Sequence, residues 1–157
     1  MRNRRVAIAV LSALLAVPSL AQADDRLVRF DGGIGVVPAR VGGVANVVRG
    51  VNPGGQPWVI ARLTADVRTD GRFSVDGRGL LLGGGDGIGT TGGQNVRARL
   101  FCGAASFLSD FVPLEANGDF RIEGQFTDPL PPECGAPVLL IVSNANGNWF
   151  AAGIPKQ

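Results

Sequence analysis

The chain lacks histidine and tyrosine altogether, and it has only two cysteines among 157 residues. Without histidine, neither a Ser-His-Asp nor a Cys-His nucleophile system can be built, and zinc sites with histidine ligands are excluded as well. Carboxylates remain for acid and base chemistry, so a hydrolase would have to use a pair of Asp or Glu side chains. The candidates for such a pair are Asp66, Asp76, Asp86, Asp110, Asp119 and Glu123.

Long apolar runs are missing beyond the first 23 residues, so no later segment is predicted to span a bilayer. Three of the first five residues are arginines, an apolar run follows over residues 6–17, and the small-residue signal Ala21-Gln22-Ala23 comes next. This order is typical of a secretory signal peptide, here residues 1–23, that is cleaved after Ala23. We therefore expect an exported chain, secreted or periplasmic, whose residues 24–157 form a single domain.

An excess of positive charge is also missing once that segment is removed, because 12 basic and 13 acidic residues remain. Proteins that bind nucleic acids usually carry a basic patch or stripe on one face. The remaining arginines are scattered singly through alternating stretches, which is typical of a solvated sheet face. The composition therefore argues against a nucleic-acid partner.

Cysteine is scarce, but the two residues form an even pair at Cys102 and Cys134. In an oxidising compartment such a pair normally forms a structural disulfide. A redox-active role is disfavoured because the spacing lacks the CxxC arrangement that lowers the pKa of a thiol.

Glycine is abundant, with 24 residues, and together with ten prolines it divides the chain into short segments that suit strands better than helices. Alternation of apolar and polar residues predicts half-buried strands at 94–101 and 72–76. The apolar run "PVLLIVS" at 137–143 predicts a central strand. Residues 58–67 also match a helical period, but their β-branched content favours a strand. Further predicted strands are 26–30, 35–37, 44–49, 107–112 and 149–153.

A hairpin signature occurs twice, as "VRTDGRFSVDG" at 67–77 and "LEANGDFRIEG" at 114–124, with a looser copy at Asn146-Gly147. Asp70-Gly71 and Asn117-Gly118 predict two-residue type I′ turns. The pattern indicates either a structural repeat or common hairpin chemistry. Both interpretations predict an all-β fold, an antiparallel β-sandwich built from hairpins with one disulfide.

The blocks "FDGGIGVVP", "VRGVNPGGQPWVI", "GLLLGGG", "LFCG", "PLEANGDFRI" and "WFAAGIPK" together resemble a family of small secreted bacterial proteins with no assigned function. The likeness covers nearly the whole chain after residue 23, and it implies secretion and a β fold. The hairpins are also similar to those of prealbumin-like and immunoglobulin-like domains. That second likeness is generic and carries over no functional residues.

The stretch "GIGTTG" within the glycine loop at 83–93 matches the GxGxxG spelling of a dinucleotide-binding turn. That turn needs a helix opening at its last glycine, whereas "QNVRARLFCG" alternates with the period of a strand. Calcium would need six or more oxygen ligands, and Asp86 is the only carboxylate in the loop. We therefore predict no nucleotide, no metal and no other cofactor.

The aromatic residues Trp58, Trp149 and Phe150 are the candidates for a ligand surface, since each has Asn or Gln nearby that could bond sugar hydroxyls. The alternative is that they pack in the core, as most tryptophans in small domains do. The sequence thus predicts a non-catalytic protein with a binding or structural role at the cell envelope, whose partner is carbohydrate or an envelope protein. The alternative is a small carboxylate-dependent hydrolase acting on polysaccharide.

Overall fold

The computed structural model describes residues 25–156, so the predicted signal peptide lies outside the described residues. Within that range the chain is all-β, with antiparallel strands in every named sheet, and no helix is long and apolar enough to cross a membrane. The frequent glycines and prolines keep the strands short, as the sequence predicts.

The strands of the described range lie one after another without helical connections. They are β1 (Arg26–Gly35), β2 (Arg40–Val41), β3 (Val44–Ala45), β4 (Trp58–Val59), β5 (Arg62–Arg68), β6 (Arg72–Arg78), β7 (Leu81–Leu82), β8 (Asn95–Cys102), β9 (Ala105–Leu108), β10 (Val112–Pro113), β11 (Phe120–Gln125), β12 (Val138–Ser143) and β13 (Trp149–Lys156).

One large sheet dominates the molecule, with the spatial order β10-β8-β12-β13-β1-β5-β6-β11 and with β9 paired to β8. The remaining named strands form two separate two-stranded sheets, β2-β3 and β4-β7. The apolar strand β12 lies between β8 and β13 and is buried along most of its length, which confirms the predicted central strand. Alternation on β5 and β6 puts Leu63, Val67 and Val75 in the core and polar side chains outside.

The large sheet curls into a half-barrel, and its two ends meet around Phe126. The Phe126 ring lies 4.3 Å from that of Phe73 on β6 and 5.7 Å from that of Phe107 on β9. Both distances are measured between ring centroids, and all three rings are buried. The core is therefore enclosed largely by one curled sheet, and the predicted packing of two sheets as a sandwich is not confirmed.

The predicted disulfide between Cys102 and Cys134 is confirmed, with 4.6 Å between the Cα atoms. Cys102 is the last residue of β8, and Cys134 lies in the loop before β12. The amide of Gly103 also donates to the carbonyl of Gly135 at 2.7 Å. The bridge therefore holds this loop against the end of a central strand.

The turn at Asp70-Gly71 joins β5 and β6 in a hairpin, but the predicted two-residue type I′ turn is wrong. Only Gly71 has a positive φ, of 87°, and its amide donates to the carbonyl of Arg68 at 3.0 Å. The loop is therefore a turn followed by a left-handed glycine, a common three-residue hairpin. The Asp70 carboxylate accepts from the amide of Arg72, which fixes the aspartate before the glycine.

The turn at Asn117-Gly118 has the same local geometry but does not form a hairpin. Gly118 has a φ of 82°, and the Asn117 side chain accepts from the amide of Asp119. The strand before the turn, β10, pairs with β8, whereas the strand after it, β11, pairs with β6. The turn thus carries the chain between the two ends of the curled sheet. The third copy, at Asn146-Gly147, does join the paired strands β12 and β13.

The two copies of the repeated signature lie side by side, as β6 and β11. They pair antiparallel, with Val75 opposite Ile122, Phe73 opposite Gly124 and Gly77 opposite Phe120. Each phenylalanine of one copy thus faces the glycine of the other. In this register, the large ring of each Phe-x-aliphatic-x-Gly copy therefore lies opposite the residue without a side chain in the other copy.

Several predicted strands differ from the structure in their extent. The predicted strands 26–30 and 35–37 form one strand, β1, which ends at Gly35, so residues 36 and 37 are not in a strand. The segment 58–67 is extended but is divided into β4 and β5, and the segment 44–49 contains only the short β3. The segment 107–112 is interrupted because Ser109 bonds twice to Ala98, its amide donating to the carbonyl and its hydroxyl accepting from the amide. This side-chain bond replaces a regular ladder contact with β8 at the point between β9 and β10.

Candidate functional site

The aromatic residues predicted as a ligand surface lie in the core. Trp58, Trp149 and Phe150 are 5%, 3% and 6% exposed. The rings of Trp58 and Phe150 stack with centroids 4.0 Å apart, and the Trp149 indole donates to the carbonyl of Asn46 at 3.1 Å. The structure thus brings Trp58 and Phe150 together, with Trp149 next to Phe150 in the chain, but the three side chains offer little surface to a ligand.

The glycine loop at 83–93 joins β7 of a small sheet to β8 of the large one. A strand follows it, where a dinucleotide turn would open a helix. Three amides in the middle of the loop already have protein acceptors. These bonds run from Ile88 to Gly85, from Gly89 to Leu82 and from Thr90 to Gly87. The loop is thus held together by its own backbone.

The candidate carboxylates fall into two groups. Asp86 in the glycine loop and Asp110 between β9 and β10 are exposed and lie on separate segments. The other four lie on or beside the outer face of β5, β6 and β11, and each of them contacts an arginine. The pairs are Asp66 with Arg26, Asp76 with Arg78, Asp119 with Arg78 and Glu123 with Arg121. Among the described residues, no three acidic or cysteine side chains converge to hold a metal ion.

Arg78 lies at the centre of this polar network. Its guanidinium donates to Asp119 at 2.9 Å and to Asp76 at 3.0 Å. Hydrogen bonds from Arg78 and then from the amide of Gly79 hold the pKa of Asp119 below its ordinary value. A general acid for glycoside cleavage needs a raised pKa, whereas the environment of Asp119 lowers the pKa and favours the ionised carboxylate.

A recess of about 400 Å³ opens on the outer face between β1, β5, β6 and β11, and we call it the arginine recess. Its charged lining consists of four arginines and two aspartates, namely Arg26, Arg29, Arg62, Arg121, Asp66 and Asp76. The hydroxyl side chains of Thr64 and Ser74 also line it. The structure therefore brings Asp66 and Asp76 into one recess and surrounds them with cations.

The sequence pattern predicted a solvated sheet face for the scattered arginines and did not distinguish Arg29 and Arg62 from the others. A signal was present, because alternation along β5 places Arg62 and Thr64 on the same face as Asp66. What the sequence did not reveal is the neighbour of each strand. The pairing of β5 with both β1 and β6 is what places Arg29 and Ser74 beside them.

No protein-family model, curated protein or solved structure matches the chain. The resemblances described above therefore stay predictions.

Proposed function

We propose that this chain is an exported, non-catalytic β-sheet protein with a binding or structural role at the cell envelope. The proposal starts from the predicted signal peptide at 1–23 and from the bridge between Cys102 and Cys134, because structural disulfides persist in oxidising compartments. We retain a relation to immunoglobulin-like or prealbumin-like sandwiches as part of the proposal. The ends of the curled sheet enclose the core much as two facing sheets would.

The ion pairing of the carboxylates carries the non-catalytic part of the proposal. Asp66 accepts from Arg26 at 2.7 Å, and Asp76 accepts from Arg78 at 3.0 Å. Both carboxylates are thus committed to ion pairs, whereas a catalytic carboxylate must be free to exchange a proton with the substrate. These side chains are therefore better suited to keeping a charged surface in order than to proton transfer.

The expected partner is carbohydrate or an envelope protein, and the outer polar face is the surface on which it would be held. Trp58 and Trp149 are buried, so stacking of a sugar on these rings is disfavoured. The outer face instead offers guanidinium and hydroxyl groups. Hydrogen bonding and charge would then dominate recognition.

Export can be tested by expressing the full chain in a bacterial host and measuring the intact mass in each fraction. We expect a periplasmic or secreted form that starts at residue 24 and sediments with isolated envelope material. Retention of residues 1–23 in a cytoplasmic form would contradict the proposal. An exported form that never associates with envelope would contradict the role at the envelope.

The alternative is a carboxylate-dependent hydrolase, which is favoured by one observation, the presence of Asp66 and Asp76 in the same recess. Retaining and inverting glycosidases place two carboxyl groups about 5 to 9.5 Å apart. Release of reducing ends from a panel of polysaccharides would detect such an activity. We expect none. Release that is lost in both Asp66→Asn and Asp76→Asn would establish the hydrolase instead.

A further inference from the structure

The arginine recess contains donors that no protein group uses. Within residues 25–156, the guanidinium groups of Arg29 and Arg62 have no hydrogen-bond or ion-pair partner. The hydroxyl groups of Thr64 and Ser74 likewise have no protein partner in that range. Four uncommitted donor groups therefore line one opening.

The acidic residues of the recess do not cancel these cations. Asp66 is paired with Arg26, and Asp76 is paired with Arg78 and lies 3.8 Å from Arg121. Each aspartate is thus neutralised by an arginine other than Arg29 and Arg62. The positive charge of the latter two remains available to a ligand.

The register of the sheet surrounds Arg29 and Arg62 with charges that are already paired elsewhere. Arg62 on β5 lies directly opposite Arg78 on β6, and Arg29 on β1 lies between Lys156 on β13 and Asp66 on β5. Arg78 is held by Asp76 and Asp119, and Asp66 is held by Arg26. An anion bound between the strands would give Arg29 and Arg62 the ion-pair partner that their neighbours already have.

From these observations we propose that the arginine recess binds an oxyanion group, such as a sulfate, phosphate or uronate carboxylate, carried on an envelope polysaccharide. Guanidinium groups bind planar and tetrahedral oxyanions through paired charge-assisted hydrogen bonds. Thr64 and Ser74 would donate to the same group or to neighbouring sugar hydroxyls. This proposal rests on the binding role proposed above and names its ligand class.

The shape of the face favours a chain-like ligand over a small free ion. A second recess of about 400 Å³ adjoins the first and shares Arg26, Asp66 and Ser74 with it. Its other cations are Arg68 and Arg72. Both recesses are open to solvent, so an extended anionic chain could pass from one to the other, whereas a free ion would fill only part of either.

The test is a titration of the purified chain at constant ionic strength with dextran sulfate, polygalacturonate, neutral dextran, free sulfate and inorganic phosphate. The double variant Arg29→Gln, Arg62→Gln removes the two uncommitted guanidinium groups. Its matched control is Arg40→Gln, Arg49→Gln, which removes the same charge from exposed arginines outside both recesses. A third variant, Thr64→Val with Ser74→Ala, changes the donors without changing the charge.

We expect binding to at least one anionic polysaccharide and none to neutral dextran. The recess variant should weaken that binding by about tenfold or more, the hydroxyl variant by a smaller factor, and the control by less than about twofold. Melting temperatures without ligand should show that all variants are folded.

Equal losses in the recess variant and in the control would show general charge attraction and overturn the proposal. Free sulfate or phosphate binding as tightly as the polymers would reduce the site to a small-ion site and overturn the polysaccharide assignment. Absence of any binding by a chain that is exported and associates with envelope would overturn the oxyanion site alone. Absence of export would instead contradict the proposed function.

Discussion

At the scale of single residues, the glycines of the two Asx-Gly turns differ in their surroundings. Gly71 and Gly118 share a positive φ, of 87° and 82°. A Cβ atom added at Gly71 would meet no heavy atom closer than 3.6 Å, whereas at Gly118 it would lie 2.6 Å from the backbone of Leu80. Gly71 is needed only for its left-handed backbone conformation. Gly118 is also needed because its backbone lies close to that of Leu80.

Alanine substitution should separate these two requirements. Gly71→Ala should lower the free energy of unfolding by about 1 to 2 kcal/mol through left-handed strain. Gly118→Ala should cost about 3 kcal/mol or more, because the backbone of Leu80 must also move. Denaturant unfolding measures both. Equal losses at the two sites would contradict the proposed contact.

The network around Arg78 predicts a pH dependence of stability. The folded-state pKa of Asp119 is lowered by Arg78 and then by the Gly79 amide, so the stability that this carboxylate contributes is present above its unfolded value of about 3.9. It is lost as the pH falls through the lower folded value. Asp119→Asn should therefore be less stable than the natural chain at pH 7, and the gap should close as the pH falls below about 4.

Unfolding midpoints measured across that range test the prediction. Asp128→Asn is a suitable control, because Asp128 is exposed and has no ion pair within the described residues. If the difference in stability between the natural chain and Asp119→Asn is as large at pH 2 as at pH 7, the charge of Asp119 is not the source of the stabilisation.

At the scale of strands, β6 and β11 depend on the fit between phenylalanine and glycine. The ring of Phe120 covers Gly77 so closely that an added Cβ atom would overlap it. Gly77→Ala should destabilise the chain by about 2 to 3 kcal/mol, and the loss should shrink by about 1 kcal/mol or more when Phe120 is replaced by Leu. Gly124→Ala is a milder comparison, since its Cβ would lie 3.1 Å from Phe73. Additive effects of Gly77→Ala and Phe120→Leu would rule out this contact.

The disulfide joins β8 to the loop before β12 and closes a segment of 32 residues. Loss of the bridge in a Cys102→Ser, Cys134→Ser variant should reduce the free energy of unfolding by roughly 3 to 4 kcal/mol in the chain-entropy model. The natural chain under reducing conditions should behave in the same way. An unchanged denaturation midpoint in both cases would mean that the bridge adds nothing to the stability of this fold.

Local features of these strands could be predicted from the sequence, whereas their partners could not. Alternation around Phe73 and Val75 and the apolar run of β12 identify strands and their buried faces, because side-chain direction has a period of two. The turn at Asn117-Gly118 looks the same locally as the one at Asp70-Gly71. Only the distant pairing of β10 with β8 and of β11 with β6 distinguishes a link across the sheet from a hairpin.

At the scale of the whole molecule, the arrangement of the strands decides what becomes core and what becomes surface. The small sheet of β4 and β7 packs against β13 and buries Trp58 and Phe150 as a stacked pair, although their polar neighbours in the sequence suggested an exposed platform. The pairing of β1 with β5 brings Arg29 and Arg62 from different strands into one recess. Both outcomes depend on strand order, which composition and spacing do not encode.

The aromatic contacts of Phe126 join the two ends of the curled sheet. Phe126 touches Phe73 near one end and Phe107 near the other. Phe126→Ala should lower the free energy of unfolding by about 3 to 5 kcal/mol, as expected for removal of a buried ring.

The same substitution should also open the ends selectively, so that amide exchange speeds up most in β9 and β11 and least in the central β12. Phe111→Ala is the matched control, because that ring is 42% exposed and contacts Arg97 on β8. Its effect should stay near 1 kcal/mol or below. Hydrogen exchange that accelerates uniformly over all strands in Phe126→Ala would show that the ring stabilises the core in general, and that the two ends of the sheet are held together elsewhere.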